Sequence, residues 1–421
     1  MRTKNFLKPI LILIVSFFMM SETFATNGYF GSGYGVKYNG MAGAGVSLYR
    51  SSLSSATNPA SMVFVGGGYD INISVFNPNR EFTVSGNPSG FPGTFGLAPG
   101  TVESDKSVFI IPALGANWML SDNNSLGVAI YGNGGMNTEY PAAVFGGANP
   151  TGVNLSQLFV NLSFSQKLGE KHALGVSAIF AYQMFEATGL EAFGGFSSDG
   201  TKITANGSDN GTGFGFKVGY QGELADGFRL GASYQSKIGM SEFSDYAGLF
   251  AEKGDFDIPA SWTVGLSYEI SESFMAVLDV QQIQYSGVAA ISNPVSNLTA
   301  LGNPLGSDAG AGFGWRDMTV MKLGAEYATE SMTWRGGFSF ALDDQPIPET
   351  EMMFNILAPG VIKNHASFGF SKPMGEKNEL SFALTYAFSN TVSGTNVFEA
   401  PNQQTIDLTM NQIIIDLGFS F

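Results

Sequence analysis

The 421-residue chain holds no cysteine and two histidines, so thiol chemistry is absent and imidazole chemistry has two places to start. His172 follows Glu170 and Lys171 in a short polar stretch, where an exposed polar residue needs no special account. In His365-Ala366-Ser367 a spacing of two puts imidazole and hydroxyl on one face of a strand. A nucleophilic serine of this kind needs a third group to orient the ring. Asn364 and Ala366 point to the opposite face and supply none. No spacing of Cys, His or carboxylates suggests a metal site. The chain therefore reads as a protein without catalytic residues, metal or cofactor.

Its binding chemistry lies elsewhere. Gly312-Phe313-Gly314-Trp315-Arg316-Asp317 sets a cation among aromatic and glycine residues, where Arg316 could receive a carboxylate or pair with Asp317. Gly132-Asn133-Gly134-Gly135 puts three glycines in four positions at the end of a strand, favouring a bulge or kink and with it a gap in a wall. Tyr29 and Phe30 stand near the start of a small-residue-rich stretch, 26–66, that has no sustained period of two.

These residues need elements to hold them. Residues 1–25 read as a cleaved leader: Arg2, Lys4 and Lys8 precede an apolar run from Ile10 to Met20, and Thr23-Phe24-Ala25 offers a cleavage site. Hydrophobic residues are 44% and charged ones 13% of the chain, yet no later run is long enough for a spanning helix. The net charge of −15 argues against nucleic acid, whose backbone attracts Lys and Arg. After about residue 68 the chain alternates. Trp262, Val264, Leu266 and Tyr268 share one face, and Ser261, Thr263, Gly265 and Ser267 the other. The same split recurs in 332–342 and 380–388. Apolar-out, polar-in alternation is the pattern of a transmembrane β-barrel.

Fourteen segments can be read, at 68–77, 107–119, 124–135, 156–168, 172–188, 211–222, 227–242, 257–270, 273–287, 318–329, 331–343, 360–373, 377–391 and 407–421. Seven long and six short connections separate them, as in outer-membrane barrels with short turns on one side. The last strand carries Phe419 and Phe421 on one face, similar to the terminal signal by which such barrels are assembled. The expectation is an all-β, fourteen-stranded antiparallel barrel over 67–421. A lumen of that width is too large for wall side chains to fill. Residues 26–66 are then a hatch inside it, centred on Asn58-Pro59-Ala60. Lys217, Arg229, Lys237, Glu269, Lys322, Glu326 and Arg335 would face the lumen as ion pairs and hatch contacts.

The His-x-Ser spacing resembles that of the outer-membrane phospholipase A family, but without an orienting group. Over the whole mature chain the order of motifs resembles the FadL-type long-chain fatty acid transporters of the outer membrane. The likeness is carried by Asn58-Pro59-Ala60, by Tyr131-Gly132 through Tyr140, by Pro259 to Tyr268 and by Gly314-Trp315-Arg316-Asp317. It continues through Arg335-Gly336-Gly337 to Asp343-Asp344-Gln345-Pro346-Ile347-Pro348. The resemblance implies a monomer in outer-membrane lipid that takes up long-chain fatty acids or other hydrophobic small molecules. Cargo would leave sideways through the kinked third strand. Arg316 stands where that family has a basic residue near the carboxylate. Its second basic position falls around Tyr182 to Glu186, which holds no Lys or Arg, leaving neutral aromatic or aliphatic hydrocarbons as the alternative cargo.

Overall fold

The computed structural model describes residues 27–399 and 403–421. The expected leader 1–25 and its expected cleavage site after Ala25 lie outside the described residues. Fourteen strands form the wall: β1 (Gly68–Ser85), β2 (Phe109–Ser121), β3 (Asn124–Tyr140), β4 (Thr151–Lys167), β5 (His172–Thr188), β6 (Asp209–Ala225), β7 (Phe228–Gln235), β8 (Ser261–Ser271), β9 (Phe274–Ile283), β10 (Met318–Ala328), β11 (Thr333–Ala341), β12 (Asn364–Pro373), β13 (Glu379–Thr395) and β14 (Thr405–Ser420). Each pairs antiparallel with its neighbour, and β14 closes on β1 from Asp70↔Ser420 to Ser85↔Thr405. Two short strands, Gly100–Glu103 and Gly239–Met240, belong to loops and pair only with β1 and β6. The fold is a closed fourteen-stranded barrel.

The alternation in sequence becomes alternation in burial. On β1, Tyr69, Ile71, Ile73 and Val75 are exposed while Asp70, Asn72 and Ser74 are buried. That is the reverse of a soluble protein, and it places the apolar face toward lipid. Among the described residues no helix is long and apolar enough to cross a membrane. The terminal Phe421 stacks on Tyr69 at 5.4 Å, its amide bonded to the Tyr69 carbonyl at 3.0 Å.

Several strands differ in length from the sequence reading. The first continues through Asn77-Pro78 to Ser85. Pro78 is opposite Gln412 of β14, while β2 begins its pairing with β1 only at Phe76, so the missing N–H faces no ladder. The seventh stops at Gln235, well short of 242. Lys237 accordingly pairs with Asp257 at 2.7 Å in the loop region instead of joining a lumenal face. The third does not end at its glycines but runs on to Tyr140.

Residues 27–66 contribute short helices and no wall strand. They pack against the inward, polar faces of the strands. The Asp279 carboxylate accepts the amides of Gly45 (2.7 Å) and Val46 (2.9 Å), and Asp70 accepts that of Ser52 (2.6 Å). Glu326 lies between Arg50 and Arg335, at 2.8 Å from each. Both guanidiniums depend on this one carboxylate, so removing Glu326 would leave two buried cations uncompensated.

Candidate ligand-binding site

Asn58-Pro59-Ala60 fixes the N-terminal segment to the wall. The Asn58 amide donates to the carbonyls of Val46 (2.8 Å) and Tyr220 (2.9 Å), while its Oδ1 accepts from Ala60 N (3.0 Å). Ser165 donates to the Ala60 carbonyl at 2.9 Å. A Cβ on Gly219 would overlap Asn58 Oδ1, and one on Gly175 would overlap the Pro59–Ala60 backbone. Those two glycines let the turn press flat against β5 and β6.

Ahead of this anchor, residues 27–31 meet the third strand. β3 pairs with β2 only as far as Ala113↔Tyr131; above that point β2 pairs with β1, β3 with β4, and the two part. The register of β3 on β4 slips between Gly132 and Gly134, which makes Asn133 the extra residue of a bulge. Residues 131–138 are all buried, where a regular wall strand would alternate, so this half of β3 is turned inward. Its freed edge is taken by the N-terminal segment. Gly31 N donates to Asn133 O at 3.0 Å, and Gly135 N to Tyr29 O at 2.9 Å. Gly134 and Phe30 form a β-bridge. A side chain at Gly134 would overlap the Tyr29 carbonyl, so glycine is required by close approach. The Asn133 side chain completes the junction, accepting from Tyr34 Oη (2.8 Å) and donating to Gln157 (3.1 Å).

Tyr29 and Phe30 enter an aromatic cluster with Trp315, all essentially buried. Ring centroids lie 5.9 Å apart for Tyr29–Trp315 and 5.3 Å for Tyr29–Phe30, and Phe313 packs on Trp315 at 6.2 Å. Four of the five residues expected to contact ligand are thus brought together. Trp315 donates to Asn355 at 2.6 Å, and Asn355 donates to the Phe313 carbonyl at 2.7 Å, so the loop before β10 is braced by the loop before β12. Next to this cluster lies a small apolar cavity of about 40 Å³, lined by Phe185, Phe193, Phe250, Phe313, Phe354 and Leu357 among others.

Arg316 is the exception. Trp315 turns inward and Arg316 outward, where it is exposed and lines a separate polar pocket with Asp344 and Lys363. Pairing with Asp317 is absent too, since that carboxylate accepts the Ser286 amide at 2.9 Å. Asp344 is held below the usual carboxylate range, chiefly by its bond to Lys363. His365 is buried against the wall residues Ser339 (3.2 Å) and Gln412 (3.4 Å), while Ser367 accepts the Ala42 amide and so braces the N-terminal segment.

Two residues of the cluster were missed from sequence. Tyr285 stacks edge-on to Trp315 at 5.1 Å, and its hydroxyl binds both the Asn27 carbonyl and, at 3.2 Å, the Tyr29 amide. Phe256 packs on Tyr29 at 6.3 Å. Both sit in long loops without periodicity, and nothing local marks them.

A closed fourteen-stranded barrel with lipid-facing aromatic residues and an occupied lumen defines an outer-membrane transport protein. The chain belongs to the outer membrane protein transport family described as OMPP1/FadL/TodX, whose model matches residues 12–419. That family consists of transport proteins, not enzymes. The fold is similar to that of the Pseudomonas putida toluene transporter TodX (18% identity, TM-score 0.66, covering 94% of this chain and 99% of that one). It is similar also to a Pseudomonas aeruginosa FadL homologue (16%, 0.67, 94% and 99%) and to the Ralstonia pickettii toluene transporter TbuX (19%, 0.61, 92% and 98%). No curated protein matches the chain.

Proposed function

We propose that the protein, a monomer in outer-membrane lipid, imports long-chain fatty acids or similar hydrophobic molecules. Cargo enters among the long loops and rests in the apolar cavity and the aromatic cluster. It leaves sideways between β2 and β3 when residues 27–34 shift. One observation carries this reading: the edge exposed by the β3 bulge is covered by Tyr29–Gly31, the same residues that complete the aromatic cluster. Displacing them changes the site and uncovers the gap together. The remaining segment, 35–66, is the fixed part of the hatch, held by Asn58 and by Asp70, Asp279 and Glu326.

A moving part is needed on energetic grounds. Burying about 15 methylenes at roughly 0.8 kcal/mol each gives about 12 kcal/mol before association costs. A rigid apolar pocket with that hold releases too slowly for transport.

A second reading, import of neutral aromatic or aliphatic hydrocarbons, is favoured by the apolar cavity lining and by the outward turn of Arg316. Two of the similar structures are named as toluene transporters.

The test is deletion of Asn133, which removes the extra residue and lets β3 pair regularly. Cells carrying a correctly folded deletion variant should take up no more oleate or toluene than cells lacking the protein. Uptake at the wild-type rate would overturn the lateral route.

A further inference from the structure

Between the N-terminal segment and strands β6 to β10 lies a second cavity, of about 30 Å³, and this one is polar. Lys217 and Lys322 reach into it, 5% and 4% exposed. Each ammonium spends one donor on a backbone carbonyl, Lys217 on Ala56 and Lys322 on Ser32 (2.6 Å). An ammonium carries three donors. Gln235 Nε2, also buried, has no partner. On the acceptor side stand Asp279 Oδ1 and Gln281 Oε1, both unpartnered. Among the described residues no carboxylate lies within ion-pair distance of Lys217. The chamber therefore holds two cations against one carboxylate, with more free donors than acceptors.

Buried charge without a counter-charge is costly, and an entering anion would relieve it. The chamber also adjoins the ligand cluster. Gly31, Ser32, Gly33 and Tyr34, which directly follow Phe30, form part of its lining. The Lys217 ammonium lies 6.0 Å over the Tyr34 ring, which packs on Tyr131 at 4.6 Å, next to the bulge.

We propose that this chamber receives a carboxylate, the head group of an acidic amphipathic cargo whose apolar tail occupies the aromatic cluster. Lys217 and Lys322 bind the carboxylate oxygens and Gln235 adds a third donor. The inference rests on the import reading and narrows its cargo to acids, placing specificity in the lumen instead of at Arg316.

Binding of oleate, oleyl alcohol and acetate to the purified barrel, wild type and Lys217→Met, tests it. Loss of a charge-assisted hydrogen bond should weaken oleate about tenfold or more, with oleyl alcohol unchanged. Since Lys217 also holds the Ala56 carbonyl, Ser233→Asp serves as a second variant. It keeps both lysines and sets an internal carboxylate in the chamber lining, and the same selective loss of oleate is expected. Equal loss of oleate and oleyl alcohol, or no loss in either variant, overturns the inference and marks the chamber as a hydrated structural void. Acetate binding that depends on Lys217, with oleate indifferent to it, overturns the head-group assignment in favour of a free small anion. A wild-type protein that binds neither oleate nor oleyl alcohol overturns the import reading itself.

Discussion

Asn58→Ala isolates the anchor of the N-terminal segment. The Asn58 side chain is fully buried and makes three hydrogen bonds, two as donor to Val46 and Tyr220 carbonyls and one as acceptor from Ala60 N. Truncation deletes all three and leaves their partners unpaired in a place water reaches poorly. At about 1–2 kcal/mol for each orphaned group, the segment loses about 3–6 kcal/mol of its attachment. The wall ladder does not involve this side chain, so the barrel itself should still form. Asn58→Asp is the sharper variant. It keeps an acceptor for Ala60 N but turns a carboxylate oxygen toward the carbonyls of Val46 and Tyr220, replacing two attractions with two repulsions in a buried site. The expected order of attachment is wild type, then Ala, then Asp. Planar-bilayer conductance reads this directly, because a loosened plug opens an ion path that a seated one closes. Proteolysis of the N-terminal segment in detergent provides the second readout. Folded variants with wild-type conductance and protease resistance would refute the anchor, and an Asp variant milder than Ala would refute the assigned direction of the hydrogen bonds.

Arg316→Ala should change the equilibrium affinity for oleate and for an alkane little and equally, since its guanidinium lines the outer polar pocket and not the apolar cavity; a titration showing selective loss of oleate would return it to the ligand site. Asp255 has its carboxyl pushed up to about 7, first by burial and then by the neighbouring charge of Asp257. A raised folded-state value contributes stability that is present below about pH 4 and lost as pH rises through about 7. The loop around 243–257 should therefore show greater hydrogen-exchange protection at pH 5 than at pH 8, and Asp255→Asn should flatten that dependence.

The wall was legible because its physics is local: a period of two, turn residues every dozen positions, and long connections on one side. Ser261, Thr263 and Ser267 are buried and Val264 and Tyr268 exposed as their alternation required. Strand ends were harder, since Pro78 and the Gly132–Gly135 run look like terminators. In the fold one has its missing N–H on an unpaired edge and the other bends the strand without ending it. The site was half legible. Tyr29, Phe30, Phe313 and Trp315 stand out as aromatics beside glycines, and they converge. The direction of Arg316 did not follow from its neighbours, because loop backbone sets each side chain separately. Tyr285 and Phe256 joined through contacts more than two hundred residues apart in sequence, which no local pattern encodes.

One part of the lumen is written in the wall more plainly than in the segment that fills it. Side chains on inward faces normally project toward the axis, so a backbone can touch the wall only where they are missing. A Cβ on Gly231 would overlap Val46, and one on Gly337 would overlap Met41, just as those on Gly175 and Gly219 would overlap Pro59 and Asn58. Four strands, β5, β6, β7 and β11, thus lower their inner surface where the N-terminal segment crosses. The chamber of Lys217 and Lys322 lies where β6 and β10 instead carry long polar side chains inward. Contact through glycine holds the N-terminal segment, and distance through lysine keeps a space beside it. The same face of one strand does both: on β6, Gly219 presses against Asn58 while Lys217, two residues earlier, reaches into the chamber. On the import route proposed above, motion of residues 27–34 would open the chamber and the β3 edge while the glycine contacts keep 35–66 in place.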